Sequence, residues 1–239
     1  DAKTGKELWK FYNTPAEGEP NGESWGKVPN EKRVASSWGL PGSYDPETHL
    51  YIFGTGNPTP AYTQGRGEGD NLYTGCLVAL NVDTGKMAWY FSTAPHDTHD
   101  WDSTETPAIV DMPWNGQMRK LIITMTRNGY FFVLDRVTGK NLLTSKIGLV
   151  NNWAAGLDAK GQPQRNPAKD AQIAGALVMV GTVGDLLLSD CAFSGNLASP
   201  APVPRARGGA LIKRGGGTTL INRCRFTGNV SSGPGNTII

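Results

Sequence analysis

The sequence predicts an all-β protein rich in turns, and three observations support that fold class. Glycine and proline together make up 47 of the 239 residues, against a background of ~12%, and both residues are unfavourable inside helices. No segment shows the 3.6-residue apolar spacing of an amphipathic helix. A short motif built around Thr-Gly-Lys occurs three times, and internal repeats are typical of architectures that stack similar β units.

The repeated motif predicts a tight turn followed by a strand. In each copy an Asp or Asn stands three residues before the Thr, where its side chain can bond the main chain of the turn, and Gly supplies the positive φ that closes it. Trp9, Trp89 and Leu143 stand five residues after that Thr, where an apolar side chain can anchor the next strand. The three copies are DAKTGKELWKF at 1–11, NVDTGKMAWYF at 81–91 and DRVTGKNLLTS at 135–145.

The runs that precede two of these turns predict strands. CLVALNV at 76–82 and GYFFVLDR at 129–136 are rich in β-branched and aromatic residues,. Short strands arranged around repeated turns, with Trp at a fixed place, predict the blades of a β-propeller. About two and a half blades fit residues 1–150, so we predict a partial propeller with open edge blades.

A second repeat, with a period of 33 residues, occupies the end of the chain. LLLSDCAFSGN at 186–196 matches TLINRCRFTGN at 219–229, with GGALI at 208–212 between them. This pattern weakly resembles the coils of right-handed parallel β-helices, and the alternative is an irregular Gly-rich tail. The in-phase pairs are Cys191 with Cys224, Phe193 with Phe226 and Asn196 with Asn229.

These patterns divide the chain into three parts. Residues 1–150 form the partial propeller, 151–176 form an irregular connection rich in polar residues, Gly and Pro, and 177–239 form the β-helix-like tail,. The tail carries a net charge of +4. Its basic residues form no dense run, and no Tyr or Trp lies between them, so we expect no nucleic-acid partner. No apolar run approaches the ~20 residues of a transmembrane segment.

The densest group of chemically versatile side chains lies in APHDTHDWDSTETP at 94–107. Taken alone, this stretch has three interpretations. It can be a metal site, because His and Asp are common ligands, or it can supply a general base. It can also be a polar loop in which Asp and Thr side chains cap turns. The group comprises His96, Asp97, His99, Asp100 and Asp102.

Three further residues have side chains suited to a cofactor or metal site. Asn57 lies in GTGNPTP, and its amide oxygen is a hard ligand suited to Ca²⁺,. Arg127 stands just before a predicted strand, where its guanidinium can bond paired oxygens,. Trp38 offers a flat face for stacking,. Each also has an ordinary structural interpretation, respectively as a turn, a surface charge and a core residue.

The order of these motifs changes the interpretation. From residue 1 to about 176 the chain closely resembles the pyrroloquinoline-quinone (PQQ)-dependent alcohol dehydrogenases of the methanol and ethanol type, whose fold is a propeller of roughly eight blades. The segments that carry the resemblance are the three Thr-Gly-Lys motifs, WG at 38–39, LYIFGTGNPTP at 50–60, GDNLYTG at 69–75, PHDTHDWD at 95–102 and RKLIITMTRNGYFFVLDRVTGK at 119–140.

The resemblance implies a cofactor site built from PQQ and Ca²⁺. In it, Asn57 is a Ca²⁺ ligand, and Asp102 is both a metal ligand and the catalytic base. Arg127 bonds the quinone oxygens, and Trp38 stacks on the planar cofactor. Thr104 stands where lanthanide-using relatives carry an extra Asp, and a neutral side chain there favours Ca²⁺ over a trivalent ion.

The implied reaction oxidises a small primary alcohol to an aldehyde, with electrons passed to a c-type cytochrome in the periplasm. The family's Ca²⁺-ligating Glu and its disulfide between adjacent cysteines lie upstream of the DAKTGK segment, with which this chain starts. We therefore expect the isolated chain to be an incomplete and inactive piece joined to an unrelated tail. The alternatives are a non-catalytic propeller-type scaffold or binding module, and a surface β-helix protein whose function resides in the tail.

Overall fold

The computed structural model separates into two compact units, Asp1–Ala171 and Gln172–Ile239. Among the described residues the helices are three short 3₁₀ segments, Gly22–Trp25, Asn30–Lys32 and Pro167–Lys169. None of the described helices is long and apolar enough to cross a membrane. The residues that the structure describes are 1–38, 40–61, 66–147 and 152–170, and in the second unit 177–180, 186–189, 192–194, 197–198, 211–214, 218–227 and 230–231.

The first unit contains two four-stranded antiparallel sheets, which confirms the all-β prediction. Its strands are β1 (Val34–Ala35), β2 (Ser43–Asp45), β3 (Leu50–Gly54), β4 (Pro58–Thr59), β5 (Cys76–Asn81), β6 (Met87–Ser92), β7 (Ala108–Trp114), β8 (Gln117–Thr126), β9 (Tyr130–Asp135), β10 (Asn141–Lys146), β11 (Ala154–Leu157) and β12 (Pro163–Arg165). The first sheet has the order β2-β3-β5-β6 and the second the order β10-β9-β8-β7. The remaining strands of this unit form two small antiparallel pairs, β1 with β4 and β11 with β12.

The main hydrophobic core lies between the two sheets. Ile52 and Leu77 of the first sheet and Ile122 of the second belong to one buried cluster. Phe91 and Phe132 meet in it edge to face, with ring centroids 5.5 Å apart. Neither sheet could bury this face alone, which is the physical reason that propeller blades occur in series.

The Thr-Gly-Lys turns have the predicted geometry in all three copies. Gly5, Gly85 and Gly139 have φ values of 69°, 69° and 71°. The N–H of each glycine donates at 2.8 Å to the main-chain oxygen of the Asp or Asn that opens the turn. The side chain of that Asp or Asn accepts the N–H of the Thr as well. Residues within six positions of one another therefore determine the whole turn.

The fixed tryptophan packs on the next turn along the chain. The ring of Trp9 covers Gly85, where a Cβ would come within 2.5 Å of the indole, and the ring of Trp89 covers Gly139 in the same way at 2.6 Å. The two indole N–H groups donate to equivalent main-chain oxygens, of Val82 at 2.8 Å and Arg136 at 3.1 Å. Trp9 thus connects the first repeat to the second, and Trp89 connects the second to the third.

Arg136 adds a charged connection between the two sheets. Its side chain is buried, and its Nε donates to Asp45 of β2 at 2.7 Å while its Nη1 donates to Asp111 of β7 at 2.8 Å. Burial opposes ionisation of Asp45, but hydrogen bonds from Thr48 and Arg136 hold the pKa of Asp45 below its usual value. The two sheets are therefore held together by an ion cluster as well as by apolar packing.

The stretch predicted as an irregular connection contains a hairpin, β11–β12, so the prediction of irregularity is corrected there. Asp158 accepts the N–H groups of Lys160 and Gln162, both at 2.8 Å, and Gly161 has a φ of 78°. The polar, Gly-containing sequence therefore closes a turn instead of preventing pairing.

The second unit consists, in its described part, of parallel strand pairs. Partners are 33 or 34 residues apart, and Phe193 lies opposite Phe226, the in-phase arrangement that the second repeat predicts. Cys191, Asn196, Asn229 and residues 208–210 lie outside the described residues. The pairs are β13 (Leu177–Val180) with β17 (Leu211–Arg214), β14 (Leu186–Ser189) with β18 (Thr219–Asn222), β15 (Ala192–Ser194) with β19 (Arg225–Thr227) and β16 (Leu197–Ala198) with β20 (Val230–Ser231).

Candidate functional site

Three of the four predicted site residues follow the ends of different strands in the first unit. Asn57 comes after β3, Asp102 lies in the loop between β6 and β7, and Arg127 lies in the turn between β8 and β9. Loops at strand ends tolerate the irregular backbone that a binding site needs, while the sheets fix their positions. The two sheets thus bring residues that are far apart in sequence to one place.

Asp102 is the centre of this cluster. It is only 2% exposed, and each oxygen of its carboxylate has a partner. Oδ1 accepts the main-chain N–H of Asn57 at 3.0 Å, and Oδ2 accepts Nη1–H of Arg127 at 2.7 Å. The Arg127 side chain is half exposed. The structure therefore brings both Asn57 and Arg127 into contact with Asp102.

Ser36 is a member of the cluster that the sequence did not reveal. Its hydroxyl donates to Oδ1 of Asn57 at 2.5 Å and lies 3.5 Å from Oδ1 of Asp102. The side-chain oxygens of Asn57 and Asp102 consequently lie around one hydroxyl group. Ser36 occurs in the short stretch SSWGLPG, where no spacing or charge distinguishes it, because its role depends on contacts with residues 21 and 66 positions away.

Two glycines of GTGNPTP allow this close approach. A Cβ on Gly56 would lie 2.1 Å from Oγ of Ser36 and 2.9 Å from Oδ1 of Asp102, and one on Gly54 would lie 1.5 Å from the main-chain oxygen of Ser103. Real Cβ atoms do not approach other atoms so closely. The glycines are therefore required for the Asp102 loop to pack against the strand end that precedes Asn57.

Trp38 is the predicted site residue that the structure does not bring into the cluster. It lies two residues beyond Ser36 and its side chain is 56% exposed. Within the described part of the chain, no hydrogen bond or ring contact connects Trp38 to Asn57, Asp102 or Arg127. Its indole face is available to solvent, or to a planar molecule that approaches from that side.

The histidines of the 94–107 stretch are used inside the protein. Nδ1 of His96 lies 2.6 Å from the main-chain oxygen of Gly69, and Nε2 of His99 lies 2.7 Å from that of Lys169. Burial lowers the pKa of both imidazoles. No group of three or more His, Cys, Asp or Glu side chains suited to a metal occurs among the described residues. For His96 and His99 the polar-loop interpretation is the one that the geometry supports.

Asp97 caps the turn that leads to Asp102. Its Oδ1 accepts the N–H of His99 at 2.8 Å, and its Oδ2 accepts the N–H of Trp101 at 2.7 Å. Burial raises the pKa of the Asp97 carboxyl to about 6, although both hydrogen bonds and the charge of Arg66 act in the opposite direction. Two carboxylates of one loop thus have different roles, because Asp97 bonds its own loop and Asp102 bonds other elements.

Glu105 supplies a buried oxygen beside the cluster. Burial raises the pKa of its carboxyl, and the charge of Asp102 adds to that effect. Hydrogen bonds from the main-chain N–H groups of Glu105 and Arg127, and the charge of Arg127, lower the pKa. Its Oε2 is buried with no hydrogen-bond partner among the described residues. An unpartnered buried oxygen costs folding free energy.

The donor chemistry of the cluster fits a hard cation and an anionic planar cofactor. Asn57 and Asp102 present amide and carboxylate oxygens, which are the ligands that Ca²⁺ prefers. Arg127 presents a guanidinium, whose fork of N–H donors suits paired oxygens. The absence of a side chain at Gly56 lets these oxygens come together, because a Cβ there would lie 2.1 Å from Oγ of Ser36.

Comparison with known proteins identifies a family. Residues 1–162 match the family described as PQQ: glucose/ethanol/alcohol dehydrogenase, β-propeller domain. The dehydrogenase subunit of the alcohol dehydrogenase (quinone) of Gluconobacter oxydans is 38% identical over 186 residues, covering 70% of this chain and 24% of that protein. The quinohemoprotein alcohol dehydrogenase ADH-IIG of Pseudomonas putida is 35% identical over 185 residues, covering 68% of this chain and 24% of that protein.

Solved structures give the same result. The quinohemoprotein alcohol dehydrogenase ADHIIG of Pseudomonas putida superposes with a TM-score of 0.57 at 33% identity, covering 70% of this chain and 26% of that chain. A europium-containing methanol dehydrogenase superposes with a TM-score of 0.54 at 28% identity, covering 62% of this chain and 27% of that chain. The chain therefore spans about a quarter of the length of the relatives it matches.

Proposed function

Because the chain belongs to the PQQ glucose/ethanol/alcohol dehydrogenase β-propeller family, we propose that it supplies part of the active site of a quinoprotein that oxidises primary alcohols to aldehydes. The observation that supports this most strongly is the meeting of Asn57, Asp102 and Arg127 around one buried carboxylate. Three residue types suited to this chemistry, from three separate loops, converge at one point.

In this proposal Asn57 and Asp102 hold the metal. Ca²⁺ takes six to eight oxygen ligands, and Oδ1 of Asn57 and the carboxylate of Asp102 contribute two of these groups. The other ligands would have to come from the cofactor, from water or from protein residues beyond this cluster. Trp38 is proposed to stack on the cofactor with its exposed indole face,.

When bound, PQQ would supply the hydride acceptor and Ca²⁺ would supply a Lewis acid that polarises it. Asp102 is proposed to accept the hydroxyl proton of the alcohol. Each carboxylate oxygen has two lone pairs, so Asp102 can take this proton while it keeps its bonds to Asn57 and Arg127. Arg127 holds Asp102 through Nη1 and directs other N–H groups of its guanidinium at the quinone oxygens.

Thr104 bears on the choice of metal. It is buried two residues beyond Asp102 and adds no charge. A trivalent ion needs more negative ligands than a divalent one, so a neutral side chain at this place favours Ca²⁺. Transfer of electrons to a c-type cytochrome, and a periplasmic location, are the corresponding proposals for the electron acceptor and the compartment.

Calorimetric titration of the full chain with PQQ in the presence of Ca²⁺ tests the proposal. We expect saturable binding that requires Ca²⁺, and Asp102→Asn should weaken it by about tenfold or more, equivalent to ~1.4 kcal/mol. Asp100→Asn removes the same charge from the same loop and should change the affinity by less than about twofold.

The same samples should then be assayed for dye-linked oxidation of a primary alcohol. Activity in the wild type that persists unchanged in Asp102→Asn would contradict the role of Asp102 as base. Absence of any Ca²⁺-dependent PQQ binding would favour the non-catalytic scaffold.

A further inference from the structure

Asp97 forms hydrogen bonds within the loop that carries Asp102. Its side chain is 1% exposed, and both of its oxygens accept main-chain N–H groups of the same loop, those of His99 and Trp101. The second of these donors belongs to the residue that immediately precedes Asp102. Asp97 therefore acts on the backbone at the point from which Asp102 departs.

The loop needs these hydrogen bonds because two of its residues, neither of them glycine, adopt a left-handed conformation. His96 has a φ of 48° and Asp100 a φ of 67°. This conformation is unfavourable for residues with a Cβ, although Asp tolerates it better than most. Asp100 lies between His99 and Trp101, so the two hydrogen bonds to Asp97 span the unfavourable residue and stabilise its conformation.

Buried partners fix Asp97 in turn. Nη2 of Arg66 donates to the main-chain oxygen of Asp97 at 2.5 Å, and Nη1 of Arg66 donates to Oδ1 of Asn71 at 2.7 Å. Arg66 and Asn71 are themselves buried. The charge of Arg66 also favours the ionised form of Asp97, which is the form that accepts two N–H donors,.

The connection continues through Trp101 to Asp102. The ring of Trp101 stacks on that of His99, with centroids 5.4 Å apart and planes within 11°, and it contacts the ring of Trp153 at 6.4 Å. With the N–H and the ring of Trp101 both held, the next residue has little freedom. The carboxylate of Asp102 then reaches the N–H of Asn57.

We propose that Asp97 is a positioning residue for Asp102, holding the loop in the conformation in which the Asp102 carboxylate meets Asn57 and Arg127. The inference rests on the proposed function for the importance of Asp102, but its structural content is independent of any cofactor. Asp97 touches neither substrate nor cofactor in this proposal.

Amide hydrogen exchange of the full chain, followed by NMR without PQQ or Ca²⁺, tests the inference. Asp97→Asn keeps the shape of the side chain but replaces one acceptor oxygen by an NH₂ group that cannot accept. The variant can accept only one of the two N–H groups, so the loop is held by one bond instead of two and should open more often. We therefore expect exchange to become about tenfold faster or more at the amides of His99 and Trp101. We expect the same acceleration of exchange at the amide of Asn57. This N–H bonds the carboxylate of Asp102 and does not contact Asp97, so its exchange rate shows whether Asp102 has moved.

Asp100→Asn is the matched control. It removes a charge from the same loop, Asn tolerates the left-handed conformation, and the Asp100 carboxylate makes no hydrogen bond among the described residues. It should change exchange at the three amides by less than about twofold. Amides in the strand Cys76–Asn81 should keep their protection in both variants.

Each outcome decides the inference. Faster exchange at His99 and Trp101 with an unchanged Asn57 amide would show that Asp97 caps only its own turn, and would overturn the proposal. If Asp97→Asn fails to fold, the wild type provides the test, because the three amides should then open together with protection factors that agree within about twofold. Unequal opening would also overturn the proposal. Since no cofactor is added, this result and the PQQ titration succeed or fail separately.

Discussion

The Thr-Gly-Lys turns and the loop that carries Asp102 both contain residues in the left-handed conformation, but they stabilise that conformation differently. In the turn at 135–140, the left-handed position is Gly139 and the capping carboxylate is that of Asp135, four residues away. In the loop, the left-handed positions are His96 and Asp100, and their surroundings include Arg66 and Gly69 from a distant segment. Local sequence determines the turn, whereas the loop needs tertiary contacts in addition to the local hydrogen bonds of Asp97.

The largest expected effect comes from a tertiary contact made by a turn. Replacing Arg136 with Ala removes the guanidinium from the buried carboxylate of Asp45, which keeps only the hydrogen bonds from Thr48 and the N–H of Glu47. Removing the charged partner of a buried ion costs about 3–5 kcal/mol of folding free energy. Arg119→Ala is the control, because that side chain is 36% exposed and lies 3.9 Å from Asp135, and should cost less than about 1 kcal/mol.

Urea unfolding of both variants measures the difference. Equal losses for Arg136→Ala and Arg119→Ala would show that the ion cluster does not join the two sheets. The effect should also depend on pH. Since the pKa of Asp45 is lowered in the folded state, its contribution is present above its unfolded value of about 4 and is lost as the pH falls through the lower folded value.

The next prediction compares two glycines with a positive φ, one of which packs against a tryptophan ring and one of which has no close neighbour. Gly139→Ala forces both a left-handed alanine and a Cβ 2.6 Å from the ring of Trp89, so we expect a loss of about 2–4 kcal/mol. Gly116 has a similar φ of 79° and nothing within 4 Å of the added Cβ, so Gly116→Ala should cost about 1–2 kcal/mol. Thermal unfolding that ranks them in the opposite order would argue against the docking of Trp89 on that turn.

Asp97 should give a third effect, visible as a pH dependence. Its pKa is raised to about 6, so between about pH 4 and 6 the folded state holds a proton that the unfolded state releases. The stability of the wild type relative to Asp97→Asn should therefore fall as the pH rises through this window, by up to ~3 kcal/mol, and level off above it. Unfolding free energies measured from pH 4 to 8 check this, and a constant difference would show that Asp97 is not buried as a titrating carboxyl.

The smallest effect concerns the metal. Thr104→Asp adds a carboxylate beside Asp102 and should increase the affinity for Eu³⁺ relative to Ca²⁺ by about tenfold or more, because the extra charge favours the trivalent ion. Thr106→Asp places the same charge two residues further along and should leave the ratio nearly unchanged. Competition titrations with the two ions measure the ratio, and equal shifts in both variants would mean that only net charge matters.

The residues that sequence patterns identified correctly are those whose surroundings are local or repeated. The turns at 1–6, 81–86 and 135–140 repeat one set of spacings, so their geometry was predictable. The predicted strand follows the second turn (β6) and the third (β10), but the prediction was wrong for the first turn, where residues 7–12 form no strand. The places of Asn57, Asp102 and Arg127 were indicated by resemblance alone, since the spacing of each has an ordinary structural explanation.

The remainder of the site was not predictable because it depends on contacts between distant segments. Ser36 meets Asn57 and Asp102 only after β1 pairs with β4. The different roles of Asp97 and Asp102 were unpredictable for the same reason. Both are buried aspartates of one loop, and only the three-dimensional structure shows that Asp97 bonds main-chain N–H groups of that loop while Asp102 bonds Asn57 and Arg127. The hairpin at Ala154–Arg165 was missed because a polar turn that closes a short pair resembles a connection.

We propose that Asn57 and Asp102 share one cation beside the guanidinium of Arg127. Diffraction from the chain crystallised with PQQ and Ca²⁺, with the metal located by the anomalous signal of Ca²⁺ itself, tests this arrangement. We expect a metal peak within about 2.3–2.6 Å of Oδ1 of Asn57 and of a carboxylate oxygen of Asp102, with quinone oxygens within hydrogen-bond distance of Arg127. A cation and cofactor bound elsewhere, with Ser36 still donating to Asn57 and Asp102 bonded only to Asn57 and Arg127, would contradict it.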